Sequence, residues 1–172
     1  MPRLALACLF LPLALAACAT LNQDQCVSGD WREIGQRDGQ NGRTADYIAQ
    51  HVKACAEYGV TPDRTAWEQG RKTGLTAYCT PARAYDEGRD GRSLSPVCPA
   101  SSLPALTAAH AKGREYLSLT NQIRELRDEI SDLNREMATA DPAQRARIFA
   151  RINMLNARLM TVEARRQAYT WP

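Results

Sequence analysis

Only two histidines, His51 and His110, occur in the 172 residues. There is no His-x3-His pair, no carboxylate cluster at metal-ligand spacing, and no serine or cysteine in a nucleophile-turn context. Adjacent carboxylates such as Asp86 and Glu87 point to different faces of a helix and cannot converge on one glycosidic bond. The expectation is a protein that is not an enzyme and uses no metal or cofactor. Stretches of alternating apolar and polar residues are also missing, which leaves no strand to predict. Aromatic residues are few, with two Phe, three Trp and six Tyr. The core must therefore lean on Leu, Ile, Val and Ala, and on crosslinks. No apolar run reaches the roughly 20 residues of a membrane-spanning helix.

The longest apolar run opens the chain. Met1-Pro2-Arg3 supplies a positive start, residues 4–14 are apolar, and Leu15-Ala16-Ala17-Cys18 closes the stretch. That order is a secretory signal, and its small-small-Cys ending resembles the lipobox of bacterial lipoproteins. Residues 1–17 are then a signal peptide, Cys18 is the acylated first residue of the mature chain, and 18–25 is a lipidated tether. The competing reading is an ordinary secreted protein with a stray cysteine near its cleavage site. Ala19 offers no acidic retention signal, so in a diderm host the expected place is the outer membrane, facing the periplasm. Several acyl chains, at about 0.8 kcal/mol per buried methylene, would hold Cys18 permanently in that membrane. Of the 22 basic residues Arg3 leaves with the signal, so 21 remain against 19 acidic ones. A net charge that small gives no argument for a nucleic-acid partner.

Cys8 lies in the signal and Cys18 is the lipid site, which leaves Cys26, Cys55, Cys79 and Cys98. An even number in an oxidising compartment implies two disulfides. A zinc site would prefer close Cys pairs, and every gap here exceeds 15 residues. Four cysteines allow three connectivities. If the first two helices are antiparallel, Cys26 and Cys55 fall at one end of the domain, leaving Cys79 to pair with Cys98.

Helix starts are legible across 26–98. Asp30 and Glu33 form a capping box. Thr61-Pro62 and Thr80-Pro81 each pair a cap residue with a first-turn proline, and Gly59 reads as a C-cap. These signals predict helices near 30–40, 44–58, 62–78 and 81–89, hence a small all-α, disulfide-stapled domain. A degenerate repeat of an aromatic or aliphatic residue, glycine and arginine runs through it: Ile34-Gly35 to Gly42, Trp67 to Gly74, Tyr85 to Gly91, and Gly113-Arg114-Glu115-Tyr116. Each helical glycine costs roughly 1 kcal/mol relative to alanine, so something compensates. One reading is close helix packing. The other is a ligand groove lined by Arg37, Arg71, Arg89 and Arg114, suited to a carboxylate, phosphate or glycan.

Residues 99–104 read as a linker, and 105–169 turn to Ala, Leu, Arg and Glu without cysteine. Apolar residues recur three and four apart from Tyr116 to Met137 and again from Ile148 to Val162, a heptad seam. Asp141-Pro142 between them can cap and start a new helix. Folding there pairs Met137 with Ile148, Leu133 with Ile152, Ile130 with Leu155, Leu126 with Leu159 and Ile123 with Val162. Residues 116–137 hold three Arg and five acidic residues, whereas 142–169 hold six Arg and one Glu. Both patterns suit a long antiparallel helical hairpin, a coiled coil whose first helix, from about Pro104 to Ala138, is roughly 50 Å long. The rival is an intermolecular coiled coil of unbroken helices.

Taken together, Cys26-x3-Asp30-Trp31-x3-Gly35-x2-Asp38-Gly39-x2-Gly42, Cys55, Trp67-x2-Gly70-Arg71-x2-Gly74-Leu75-x2-Tyr78-Cys79-Thr80-Pro81, Gly88-Arg89-x-Gly91 and Cys98-Pro99 resemble a bacterial lipoprotein family of unknown function, the DUF2799 type, over about residues 26–116. Trp67 and Ala84 stand where that family is expected to carry a tyrosine and a glycine. The resemblance implies an envelope location and disulfides, and no activity. The expected role is a structural or protein-interaction module with an envelope protein as partner. The alternative is a module binding peptidoglycan or another anionic envelope glycan through the Gly-Arg repeats.

Overall fold

The computed structural model describes residues 20–171; the signal, Cys18 and Ala19 lie outside them. The described residues form seven α-helices and no strand: α1 (Gln23–Ser28), α2 (Trp31–Gln40), α3 (Ile48–Cys55), α4 (Arg64–Tyr78), α5 (Pro81–Arg89), α6 (Leu103–Met137) and α7 (Pro142–Gln167). The four helices expected within 26–98 are present. Asp30 caps α2 through the Glu33 amide, Thr80 caps α5 ahead of Pro81, and Gly59 takes the left-handed conformation at φ 67°. Two local expectations are corrected. The cap of α4 is Asp63, which accepts from the Ala66 amide, so the helix starts after Pro62 rather than at it. The 18–25 tether is in part folded: Leu21 is buried in the core, and Asn22 opens α1 with a full capping box.

Two disulfides, Cys26–Cys55 and Cys79–Cys98, each bring their Cα atoms to 5.5 Å. Each ties the chain ahead of one helix to the chain ahead of that helix's partner, α2 to α4 and α5 to α6. Both partnerships are consequently parallel, and both close on small residues. A Cβ on Gly35 would lie 1.9 Å from the Trp67 carbonyl oxygen, and one on Gly39 would lie 2.1 Å from that of Arg71. The contacts are reciprocal, since Gly70 faces the Arg32 carbonyl at 1.9 Å and Gly74 that of Gln36 at 2.1 Å. At the second crossing Gly88 faces the His110 carbonyl at 2.2 Å and Gly113 that of Tyr85 at 2.1 Å. Ala84 and Ala109, both buried, precede these glycines by one turn. Ala84 thus lies inside α5 at a helix contact, not at a turn.

The two crossings are copies of one design. Gly42 and Gly91, at φ 67° and 75°, end α2 and α5 with the same turn. Arg43 N–H donates to the Asp38 carbonyl and Arg92 N–H to the Glu87 carbonyl. The Arg43 carbonyl then accepts from Arg71 of α4, and the Arg92 carbonyl from His110 of α6. Tyr78 packs on Gly42 as Leu117 packs on Gly91, and Trp67 is buried as Leu106 is. A helix, a glycine-arginine turn, a disulfide and a second parallel helix therefore occur twice in succession.

The first three turns of α6 belong to this second unit, with Leu106, Ala109 and Gly113 buried against α5. The expected linker is a 3-10 turn over Ala100–Ser102 that leads directly into α6, and α6 continues without a break from the second unit to the part that packs on α7. Beyond it, α7 runs back along α6. Leu119, Ile123, Leu126, Leu155 and Val162 form their shared core. Arg165 meets Glu115 at 2.8 Å, Arg127 meets Glu163 at 2.6 Å and Arg151 meets Glu129 at 2.5 Å. Asp141 caps α7 in a capping box with Gln144, and Pro142 starts it.

Candidate functional site

The four arginines singled out with the glycine repeats do not share a cleft. Arg71 is buried and structural: its guanidinium clasps Glu68 through two hydrogen bonds of 2.8 and 2.9 Å, and a third of 3.0 Å reaches the Arg43 carbonyl. These bonds hold the Glu68 carboxyl below the usual glutamate range. Arg89 is exposed and paired with Asp86 and Asp90. Arg114 is exposed on α6. Arg37 lines a separate shallow depression with Asp30 and Glu33. The helical glycines of the repeats serve backbone contact between helices, and Gly42 and Gly91 make the turns that end α2 and α5.

A second polar cluster was not anticipated. Asp38 Oδ2 accepts from the Trp67 indole N–H at 2.8 Å and from His51 Nε2 at 2.7 Å. With that ring nitrogen donating, His51 Nδ1 accepts from the Thr20 hydroxyl at 2.9 Å. His51 is 2% exposed and Trp67 1%. The chain Thr20–His51–Asp38–Trp67 fastens the N-terminal segment and α3 to the α2–α4 crossing. His51 is therefore a buried structural residue, and every nitrogen of the cluster has a partner.

A polar cleft of about 560 Å³ lies between the two glycine-arginine turns. Arg43, Arg83 and Arg92 line it together with Glu87, Tyr78 and Ser95. Glu87 is buried, with Arg83 Nε 3.0 Å from one carboxylate oxygen and Arg92 Nε 2.6 Å from the other. The hydrogen bond that Arg92 donates to the Glu87 carboxylate raises the Arg92 pKa above its ordinary value. Only Arg43 and Arg92 could have been sought from sequence, as the residues after Gly42 and Gly91. Nothing in the local spacing shows that the two turns face one cleft.

On α7, Phe149, Met154 and Met160 stay 61%, 60% and 71% exposed. Among the described residues no helix is long and apolar enough to cross a membrane, and no group of His, Cys, Asp or Glu could hold a metal ion.

No curated protein matches this chain, and neither does any solved structure. A family model, described as "Protein of unknown function (DUF2799)", matches residues 30–115. That span runs from the cap of α2 through Gly113 and so takes in both glycine crossings. The chain belongs to the DUF2799 family.

Proposed function

We propose that this protein is a non-enzymatic interaction module of the bacterial envelope, anchored in the outer membrane through acylated Cys18 and facing the periplasm. It engages a protein partner through the antiparallel helical hairpin of α6 and α7. The observation that carries this reading is the solvent face of α7. Phe149, Met154 and Met160 are large apolar side chains held in water, on a helix whose other neighbour contacts are made to α6. Phe149 and Met160 lie along one flank of α7 and Met154 on the other, and exposed apolar surface of this kind is where a partner can dock. Arg147 and Arg158 flank Met154 at helical spacing, so the complementary partner surface is acidic with an apolar centre. Helix-face recognition uses such anchors.

The test is in-cell crosslinking of the full-length lipoprotein against a Met154→Asp, Arg158→Glu variant. Both substitutions lie outside the shared core, so the fold is expected to persist by circular dichroism. Loss of a specific crosslinked protein from the variant supports the reading, and unchanged capture overturns it. Labelling with radioactive palmitate, abolished by Cys18→Ser, tests the anchor independently.

A further inference from the structure

We propose that the cleft between the two glycine-arginine turns binds an oxyanion, a carboxylate or phosphate borne on a polar, sugar-sized ligand. Arg43 and Arg92 hold equivalent places in the two copies of the unit, and both line this cleft. Duplication has thereby brought two copies of one cationic turn onto one cleft. The cleft residues are almost all donors. Arg43 stacks on Tyr47, 4.4 Å from the ring centroid, and has no carboxylate partner among the described residues. Tyr78 accepts the Ser95 amide at 2.9 Å, which leaves its own hydroxyl proton to give.

Glu87 acts as an internal positioning group. It is 5% exposed and stands between Arg83 and Arg92. Asp90 adds a second carboxylate, 2.9 Å from a terminal nitrogen of Arg92, and the two negative charges still fall short of the three lining guanidiniums. The Glu87 contacts fall on the Nε atoms of Arg83 and Arg92. Arg83 Nε is buried and faces Glu87 at 3.0 Å without an aligned hydrogen bond, so that pair is held by charge. A preset pair of guanidiniums recognises carboxylate and phosphate by forked hydrogen bonds and loses little freedom on binding. The 560 Å³ of space falls within the usual range of small-molecule sites. This site is separate from the α7 face, and it uses none of Arg37, Arg71, Arg89 and Arg114.

The experiment is calorimetric and NMR titration of the purified full-length protein in detergent. The probes are N-acetylmuramic acid for a carboxylate and glucose 1-phosphate for a phosphate. Saturable binding of at least one probe is expected, weakened at least tenfold by Arg43→Gln and by Arg92→Gln; the probe that binds identifies the oxyanion. Arg43→Gln breaks no ion pair, so its melting temperature should match the parent, and it decides the matter if Arg92→Gln does not fold. Absence of saturable binding for both probes overturns the proposal, as does binding that survives Arg43→Gln unchanged.

Discussion

Gly35 lies so close to the Trp67 carbonyl that a methyl group there would sit 1.9 Å from the oxygen. The obstacle is helix backbone, which cannot swing aside as a side chain can. Gly35→Ala and Gly70→Ala should each force the α2–α4 crossing apart, at about 3 kcal/mol or more. Gly59 is the control. It has positive φ with nothing within 4 Å, so Gly59→Ala should cost only the strain of the left-handed conformation, about 1 kcal/mol. Urea denaturation of the three variants measures the contrast, and equal losses would contradict the crossing geometry.

Asp38 receives two buried donors on one oxygen. Asp38→Ala strands the Trp67 indole N–H and the His51 ring, at roughly 2–4 kcal/mol. Asp38→Asn keeps an acceptor and should lose less. Near-ultraviolet circular dichroism of Trp67 should flatten in the alanine variant before helix content falls.

Reduction should weaken both units. The bridges span 29 and 19 residues, for which the loop-entropy model gives about 3 to 4 kcal/mol each. Paired serine substitution of Cys26 and Cys55, or of Cys79 and Cys98, should lower the denaturation midpoint by a comparable step. Thiol titration of the unfolded parent without reductant should find neither pair free.

Arg71 gives the fold an acid sensitivity. Its hydrogen bonds hold the Glu68 carboxyl below the usual glutamate value of 4.5. A carboxyl depressed in the folded state adds stability above its unfolded pKa and loses it as pH falls through the folded value. Glu68 is partly exposed, so solvent screening keeps the effect modest. The stability advantage of the parent over Glu68→Gln should be present near neutrality and shrink below the usual glutamate value. A difference that grows on acidification would contradict the pairing.

Helix punctuation was the most readable part of this chain, because a cap is a local event: Asp30, Thr80-Pro81 and Gly59 act on amides within four residues. The disulfide partners match the expected pairing, but the antiparallel first two helices it rested on are not the packed pair: α2 packs on α4, in parallel. Asn22 was overlooked since its capping box precedes a helix of six residues, too short to show periodicity. The glycine repeat was visible, yet its arginines misled. Arg71 turns inward to a carbonyl while the equivalent position in the second unit is His110, so the duplication conserves a contact and not a residue type. The two units also differ in connection length. Their first helices are offset by 49 residues, Gly42 to Gly91, and their second helices by 39, Gly74 to Gly113, which hides the repeat from any fixed period.

Helix α6 is one continuous rod from Leu103 to Met137, with Gly113 pinned at its lower third. About 36 Å of helix extends from that pin to the turn before α7. The rod works as a lever whose fulcrum is the Gly88–Gly113 contact. A rotation of one degree there swings the tip by about 0.6 Å at that helical length, so the placement of the far turn is set by a gap no wider than a missing methyl group.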